Sequence, residues 1–451
     1  MKQASRTIDV QSFIDAERFS PCQWLVLIFC FLVVAADGYD TAAISFIAPS
    51  LAQEWGITRG ELGIVMSAAL AGLSLGAIFA GPVADRIGRK TVLVAAVTAF
   101  GAWTLVTAHA QSITALTALR FLTGLGLGAA MPTTITMMSE YAPERLRAFT
   151  VNAMYCGFSC GLVAGGAASA WLIPHFGWRS VLMAGGIGPL ALAVLLLALM
   201  PESAQFLAVR PGTRDKIARI LHRIAPDQRL DGCTFVARTA QVGTRQKASA
   251  LALILSDVYR RRTLLLWLSC FMGLVIYYLI TNWMPTLFRE AGLSVEHGAL
   301  LASVFPLGGL LGNLVAGWLM DRFDANRIIV VAYMLAAVLV TVVGRSLDHP
   351  AFLGVSLLLC GTLVTSAATS MSTYAATLYP TEARTTGVAW MQGIGRIGGI
   401  AGSFIGAALL GVGWGFGDVF GLLVVPALAA AGAVFMIAKP QRAYSVTRAA
   451  K

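Results

Sequence analysis

Charge is scarce in this sequence. Only 12% of the 451 residues are Asp, Glu, Lys or Arg and 57% are hydrophobic, where an ordinary soluble domain is about 25% charged. A soluble core cannot absorb that much apolar surface, so lipid must be part of the solvent. Histidine is scarce too, and the five, at positions 109, 175, 222, 297 and 349, are scattered. The seven cysteines mostly fall inside apolar windows at no metal-ligand spacing, which leaves neither a metal centre nor a disulfide framework to expect. No polar stretch exceeds the one at 201–262, and no nucleophile–base constellation appears, which argues against an enzyme or a sensor with a soluble domain. The N-terminal MKQASRTIDVQSFIDAERF has no apolar h-region, so a cleaved signal peptide is not expected.

Long uncharged sequence is abundant. The windows 62–84, 148–178, 263–288 and 298–320 each exceed the roughly 18 residues that mark a spanning helix. Forty-six glycines fit the same reading, because small residues let membrane helices approach closely. Apolar windows bounded by charge or by Pro/Gly clusters predict spans at 22–48, 58–81, 91–109, 113–138, 149–173 and 180–200. A second set is predicted at 263–288, 297–320, 327–347, 350–374, 385–411 and 416–437. The expected chain is an all-α polytopic membrane protein of twelve transmembrane helices in two pseudo-symmetric six-helix bundles. These occupy 1–200 and 263–438, with a cytoplasmic linker over 201–262 and a cytoplasmic tail over 439–451. The basic linker has the spacing of amphipathic surface helices.

The net charge of +11 invites a nucleic-acid partner, but its placement argues for topology instead. With the N-terminus inside, all but six of the 33 Lys and Arg residues fall in cytoplasmic segments, as the positive-inside rule requires. Arg59, Arg179, Arg289 and Arg345 lie in outer loops, which leaves Arg120 and Arg396 inside the membrane.

The halves carry an internal repeat. GPVADRIGRK (81–90) follows span two and GWLMDRFDANR (317–327) follows span eight; their acids, Asp85 and Asp321, are 236 residues apart. YAPERLRA follows span four and LYPTEARTTG follows span ten, with Glu144 and Glu382 238 apart. Six plus six helices with these loops resemble the major facilitator superfamily over essentially the whole chain. The second copy departs from the pattern, since Asp321-Arg322 is followed by Phe-Asp-Ala-Asn-Arg and lacks the Gly-Arg-Lys ending.

Two acids interrupt span one in VVAADGYDTAAISF, Asp37 and Asp40, one helical turn apart. A charge at mid-bilayer costs about 2.5–3.5 kcal/mol on insertion scales, and such groups pair or face a cavity. Two carboxylates this close repel, and desolvation disfavours their charged forms, so a proton is expected to bind one of them in the physiological range. The alternative is that one acid caps a helix broken near Gly38 or forms a permanent ion pair. Asp40 lies about 12 Å below the outer end of its span and Arg120 roughly 10 Å below the same surface, so the two can meet. Arg120 is then either a structural counter-ion or a clamp for a substrate carboxylate. Arg396 has only Gln392 as a polar neighbour in AWMQGIGRIGGIAGSF. It either holds a carboxylate bidentately or pairs with an acid on another helix.

The DGYDTA run, GPVADRIGRK and the span-four arginine together resemble the aromatic acid:H⁺ symporter family, most specifically through the first 150 residues. That resemblance implies proton coupling through Asp37 and Asp40, and transport of an aromatic carboxylate of the hydroxybenzoate, protocatechuate or gentisate type by alternating access. It implies no cofactor beyond H⁺ as coupling ion, no enzyme activity, a bacterial inner membrane with both termini cytoplasmic, and function as a monomer. Tyr39, Phe46, Tyr155, Phe158, Tyr277, Tyr278, Trp283 and Trp390 lie on spans that line the central cavity of the major facilitator superfamily. Tyr39, Tyr277 and Trp390 are the candidate ring contacts, although such aromatics are more often packing or interfacial residues than ligand contacts. Asn282 and Gln392 are candidates for a ring hydroxyl. The resemblance makes Asp85, Arg86, Arg89, Glu140, Arg145, Asp321, Arg322 and Arg384 a cytoplasmic gate, with Asp85 capping span eleven near Thr385; the alternative is topology signalling alone. Another small organic anion remains an alternative substrate. So does a sugar-like metabolite, because PESAQFL (201–207) resembles the sugar-porter ending of span six. Drug antiport is disfavoured because CGFSCGLVAGGAAS in span five has no proline.

Overall fold

The apolar windows become helices where local capping lets them begin. Span one starts at Pro21, where Ser20 Oγ accepts the Gln23 N–H and Gln23 Oε1 accepts the Ser20 N–H at 2.7 Å, so each end of the box satisfies a donor the helix leaves orphaned. It ends at Gly56, which adopts a left-handed conformation (φ 63°) that side chains disfavour. Thr58 and Glu61 repeat the box for span two.

A computed structural model of the chain describes residues 7–228, 230, 233–236, 252–320, 322–379 and 381–437, apart from the side chains of 81, 82, 85, 148, 317, 376 and 381–385. Among the described residues, 12 helices are long and apolar enough to cross a membrane. The first six are Pro21–Trp55, Arg59–Ile87, Arg89–Thr107, Ile113–Tyr141, Arg147–Phe176 and Arg179–Leu199. The second six are Arg260–Glu290, Val295–Met320, Ala325–Gly344, Pro350–Leu378, Thr381–Gly411, and a last span built of Phe416–Leu422 and Val424–Met436. The order is the one hydropathy predicts. Several ends run further: span one continues to Trp55 and span eleven begins at Thr381. A helix keeps its hydrogen bonds past the apolar layer, so polarity marks where hydrocarbon stops and caps mark where the helix stops.

Glycine sets how closely the helices pack. Gly72 and Gly76 of span two lie against the carbonyls of Phe121 and Leu125, and Gly124 and Gly128 of span four lie against those of Ala69 and Leu73. Spans eight and ten repeat the arrangement, with Gly308 and Gly312 against the carbonyls of Leu358 and Thr362. Gly72 and Gly308 are 236 residues apart, as are Gly76 and Gly312, the same offset as Asp85 and Asp321. The duplication seen in the loops is therefore also a duplication of helix contacts.

The apolar interior divides into three cores. One joins the outer ends of both halves, combining Ile47, Leu51 and Leu62 with Trp283, Phe288 and Phe305. The inner ends have separate cores, one around Val26, Phe100, Met137 and Leu221, the other around Leu266, Tyr333, Met371 and Tyr374. Polar contacts stitch the outer side: Ser45 Oγ donates to Asn282 Oδ1 at 3.3 Å, Asn282 Nδ2 donates to Ser403 Oγ at 2.8 Å, and Arg59 pairs with Glu290. Among the described residues, the two bundles share a core at the end where span one finishes and have separate cores at the opposite end.

The start of the linker belongs to the N-terminal half. Helix Arg214–Ile224 buries Ile217, Ile220, Leu221 and Ile224 in that half's inner core. The helix is amphipathic as expected, but its apolar face packs on protein and not on lipid. Strand Thr234–Val236 pairs in parallel with Thr7–Asp9 near the N-terminus. Residues 237–251 and the tail from 438 lie outside the described residues.

The close approach of spans two and four gives a direct test. Gly124→Val places side-chain atoms on the Ala69 carbonyl, and because backbone cannot yield as a side chain can, the cost should exceed the roughly 1–3 kcal/mol of ordinary overpacking. Gly188 has nothing within 4 Å of an added Cβ, so Gly188→Ala should leave the melting temperature unchanged. Equal yield and melting temperature for the two variants in detergent would show that the glycine contact does not hold these spans together.

Candidate functional site

Span one places its two acids in different company. Asp40 is 1% exposed and is fully satisfied. Arg120 of span four forks onto it, Nη1 to Oδ1 at 2.9 Å and Nη2 to Oδ2 at 2.8 Å, and Thr104 of span three donates to Oδ1 at 3.1 Å. Such a pair needs all three bonds, since a buried ion costs several kcal/mol of desolvation that only good geometry offsets. Arg120, itself 1% exposed, is thereby engaged as a counter-ion within the N-terminal half.

Asp37 is equally buried and is not satisfied: its Oδ1 has no hydrogen-bond partner. It lies within electrostatic range of Asp40, Arg396 and Arg120. Tyr155 of span five and Tyr278 of span seven both lie within range of Asp37 and of Arg396. Four side chains from spans one, five, seven and eleven thus converge between the halves. Arg396 makes no hydrogen bond or ion pair among the described residues and is only half-buried. Close packing delivers these groups to one level: Gly38 lies against the Phe158 carbonyl, and the Tyr278 ring rests on Gly399, one turn from Arg396.

The other substrate candidates divide. Gln392 lies one turn inward of Arg396 on the same face, is exposed, and donates to Ser372 Oγ at 3.1 Å. Tyr277 is packed edge-on against Tyr278 and beside Phe305, at the outer edge of the cluster. Tyr39 turns toward span six, its hydroxyl donating to the Val181 carbonyl at 3.2 Å and its ring against Gly185. Asn282 is taken up by the outer closure between Ser45 and Ser403. Trp390 stacks on Trp267 at 5.9 Å. It shares an exposed stripe with Ile397 and Phe404 at seven-residue spacing, so it points about 120° around the helix from Arg396.

The cytoplasmic candidates act mostly within one half. Arg89 pairs with Glu140 at 3.2 Å, and Glu140 also accepts from Ser203 Oγ. The neighbouring Glu202 accepts the Lys90 and Ser203 N–H groups at 3.0 and 2.9 Å, so the PES turn of 201–203 and the Gly-Arg-Lys ending are one unit. Arg145 donates to the carbonyls of Asp15 and Glu17, tying the N-terminal segment to span four. The Arg86 side chain is exposed, and Arg322 lies over the Trp318 ring at 4.2 Å. Asp321 and the side chains of Asp85 and Arg384 lie outside the described residues. The expected pairing of a loop arginine with Glu140 is made within the N-terminal half, and the expected contact of Asp85 with span eleven lies outside the described residues.

Thr104 was not singled out by sequence, and Tyr155 and Tyr278 stood there only among the many aromatics of the cavity-lining spans. A threonine in an apolar span carries no signal of its acid partner, and aromatics are too common in membrane helices for two to stand out. Among the described residues, no group of three or more His, Cys, Asp or Glu is placed to hold a metal ion.

Comparison with known proteins fits this geometry. The chain is 50% identical over 436 residues to the 4-hydroxybenzoate transporter PcaK of Pseudomonas aeruginosa, covering 96% of each chain. It is 46% identical to a gallate transporter of Pseudomonas putida, covering 95% of this chain and 94% of that one. The inward-open structure of the xylose transporter XylE from Escherichia coli superposes with a TM-score of 0.75 at 16% identity, over 94% of this chain and 98% of that one. The family model of the Major Facilitator Superfamily matches residues 30–403 and 289–450. The chain is a multi-pass membrane transporter, not an enzyme, and it belongs to the Major Facilitator Superfamily.

Proposed function

We propose that the chain is a proton-coupled symporter that carries an aromatic carboxylate of the hydroxybenzoate type into the cell by alternating access, as a monomer in the inner membrane with both termini cytoplasmic. One observation carries the reading: Arg396, which makes no hydrogen bond or ion pair among the described residues, lies within electrostatic range of Asp37, a buried acid of the other half with an unsatisfied oxygen. The names of the relatives support the substrate class, since they transport 4-hydroxybenzoate and gallate.

Charge balance gives the coupling. Without substrate, Asp37, Asp40, Arg120 and Arg396 sum to zero. A carboxylate held by the Arg396 fork adds one negative charge to a dry site, and a proton on Asp37 restores neutrality. Anion and proton therefore favour each other's binding, and one proton accompanies each monoanionic substrate. Asp40 stays fixed by its three bonds, so Asp37 is the carrier. Tyr155 and Tyr278 flank the same space and supply ring faces, with their hydroxyls available to a ring hydroxyl. We place the route to the cytoplasm at the end where the two halves have separate cores, and the closed gate at the end where they share one.

Asp37→Asn keeps shape and removes titration, so proteoliposomes with this variant should lose uphill accumulation of labelled 4-hydroxybenzoate under a proton gradient and keep substrate exchange. Accumulation at the wild-type level would remove Asp37 from the coupling step.

Arg396→Lys should weaken substrate binding ten-fold or more, because an ammonium cannot form the bidentate contact and each charge-assisted bond contributes about 1.5–3 kcal/mol. The carboxamide of the substrate should bind wild type poorly and lose little more in the variant. If acid and amide lose equal affinity on mutation, Arg396 is not the carboxylate clamp.

Arg120→Gln leaves Asp40 buried without its counter-ion and should cost about 3–5 kcal/mol of stability. Adding Asp40→Asn should recover most of it, as read from melting in detergent. A double variant no more stable than the single would mean that the pair does not act as a neutral unit.

A further inference from the structure

A groove of about 560 Å³ opens at the cytoplasmic ends of spans two and six, beside the linker helix Arg214–Ile224. Arg210, Lys216, Arg219 and Arg223 line it, all exposed. None of the four pairs with a carboxylate among the described residues. The one acid in the lining, Glu202, is turned to the Lys90 and Ser203 N–H groups. Arg210 is braced, with its guanidinium 4.3 Å over the Phe206 ring and donating to the Arg86 carbonyl. Arg219 donates from Nε to the Asp215 carbonyl at 3.3 Å, which leaves its terminal nitrogens to the groove. The apolar face of the helix is locked in the protein core, so its basic face is held in place by the fold.

Four convergent cations without an anion call for a multiply bonding oxyanion, and phosphate supplies that geometry. The surroundings point to its source. Ile87, in the groove lining, is 50% exposed, and Leu197, Val194 and Ile187 on one face of span six are 59–67% exposed, an apolar strip that continues up the span. Lys90 Nζ is bound to the Leu197 carbonyl at 2.7 Å, at the same level. A basic pocket directly under a lipid-facing strip, on the cytoplasmic side, matches a headgroup with its acyl chains above it. We propose that this groove binds the phosphate of an anionic lipid of the cytoplasmic leaflet, of the phosphatidylglycerol class, and that the lipid joins the linker helix to the ends of spans two and six. The site is remote from Asp37 and Arg396 and does not depend on the transport reading.

Native mass spectrometry of the full chain in detergent tests this, with dioleoyl-phosphatidylglycerol and dioleoyl-phosphatidylcholine as lipid probes and inorganic phosphate and glycerol 3-phosphate as soluble competitors. Wild type should retain phosphatidylglycerol at least ten-fold more tightly than phosphatidylcholine, and neither soluble anion should displace it. The triple variant Lys216→Gln, Arg219→Gln, Arg223→Gln should lose roughly a hundred-fold in phosphatidylglycerol affinity, while Lys216→Arg, Arg219→Lys, Arg223→Lys stays within about three-fold of wild type. Equal retention of the two lipids by wild type overturns the proposal without reference to any variant. Unchanged binding in the Gln triple places the lipid elsewhere and overturns it too. Displacement by glycerol 3-phosphate or phosphate at comparable affinity makes the occupant a soluble anion and overturns the lipid source.

Discussion

The buried pair of Asp40 and Arg120 is the constraint on which the rest of this structure depends. Two acids a turn apart in one helix cannot both stay charged and unpartnered in a low-dielectric interior. The fold resolves this asymmetrically. It spends a forked arginine and a threonine on Asp40 and leaves one oxygen of Asp37 bare. Pairing both acids would give an inert core, and pairing neither would be too costly to fold. With one pair fixed, the remaining acid, Asp37, and the remaining intramembrane arginine, Arg396, belong to opposite halves.

That asymmetry needs helices held closer than ordinary side chains allow. Gly38 puts the Asp37 turn against the span-five backbone, and Gly399 makes room for Tyr278 beside Arg396. Elsewhere the glycines of spans two and four, matched in spans eight and ten, bring those helix pairs into backbone contact. Membrane helices gain nothing from burying apolar surface against one another, so close van der Waals contact is the main attraction available. Alternating access requires halves that move as units, because motion is then confined to the surface between them.

Much of this was legible in the sequence because charge and glycine are expensive to misplace in lipid. The depth of Asp40 and Arg120 along their spans, counted in residues, anticipated a contact that the structure makes at 2.8–2.9 Å. The 236-residue offset of two loop acids reappears in paired glycines. Direction around the helix was harder to read. Tyr39 follows Gly38 and precedes Asp40, and nothing in that order says its ring turns to span six. Trp390 is six residues from Arg396 and points about 120° away around the helix. A span apolar on every side has no moment to orient it, so contacts decide. Arg89 and Glu140 both fell in the N-terminal half and at one membrane surface by sequence, and the structure pairs them there at 3.2 Å.

The chemistry of the outer closure follows from the work it does. Its buried contacts are neutral, running from Ser45 through Asn282 to Ser403, with the Trp283 indole N–H on the Ser403 carbonyl at 3.0 Å. Each such bond contributes about 0.5–1.5 kcal/mol net and exchanges readily with water. Its one ion pair, Arg59 with Glu290, is about a third exposed on both sides, where pairs contribute about 0–1 kcal/mol. A closure made of buried charges would cost too much to open, because each half would carry an unpaired ion away. The strong pair, Asp40 with Arg120, lies inside one half, and the contacts between the halves at this end are neutral or exposed, so separating the halves there would cost least.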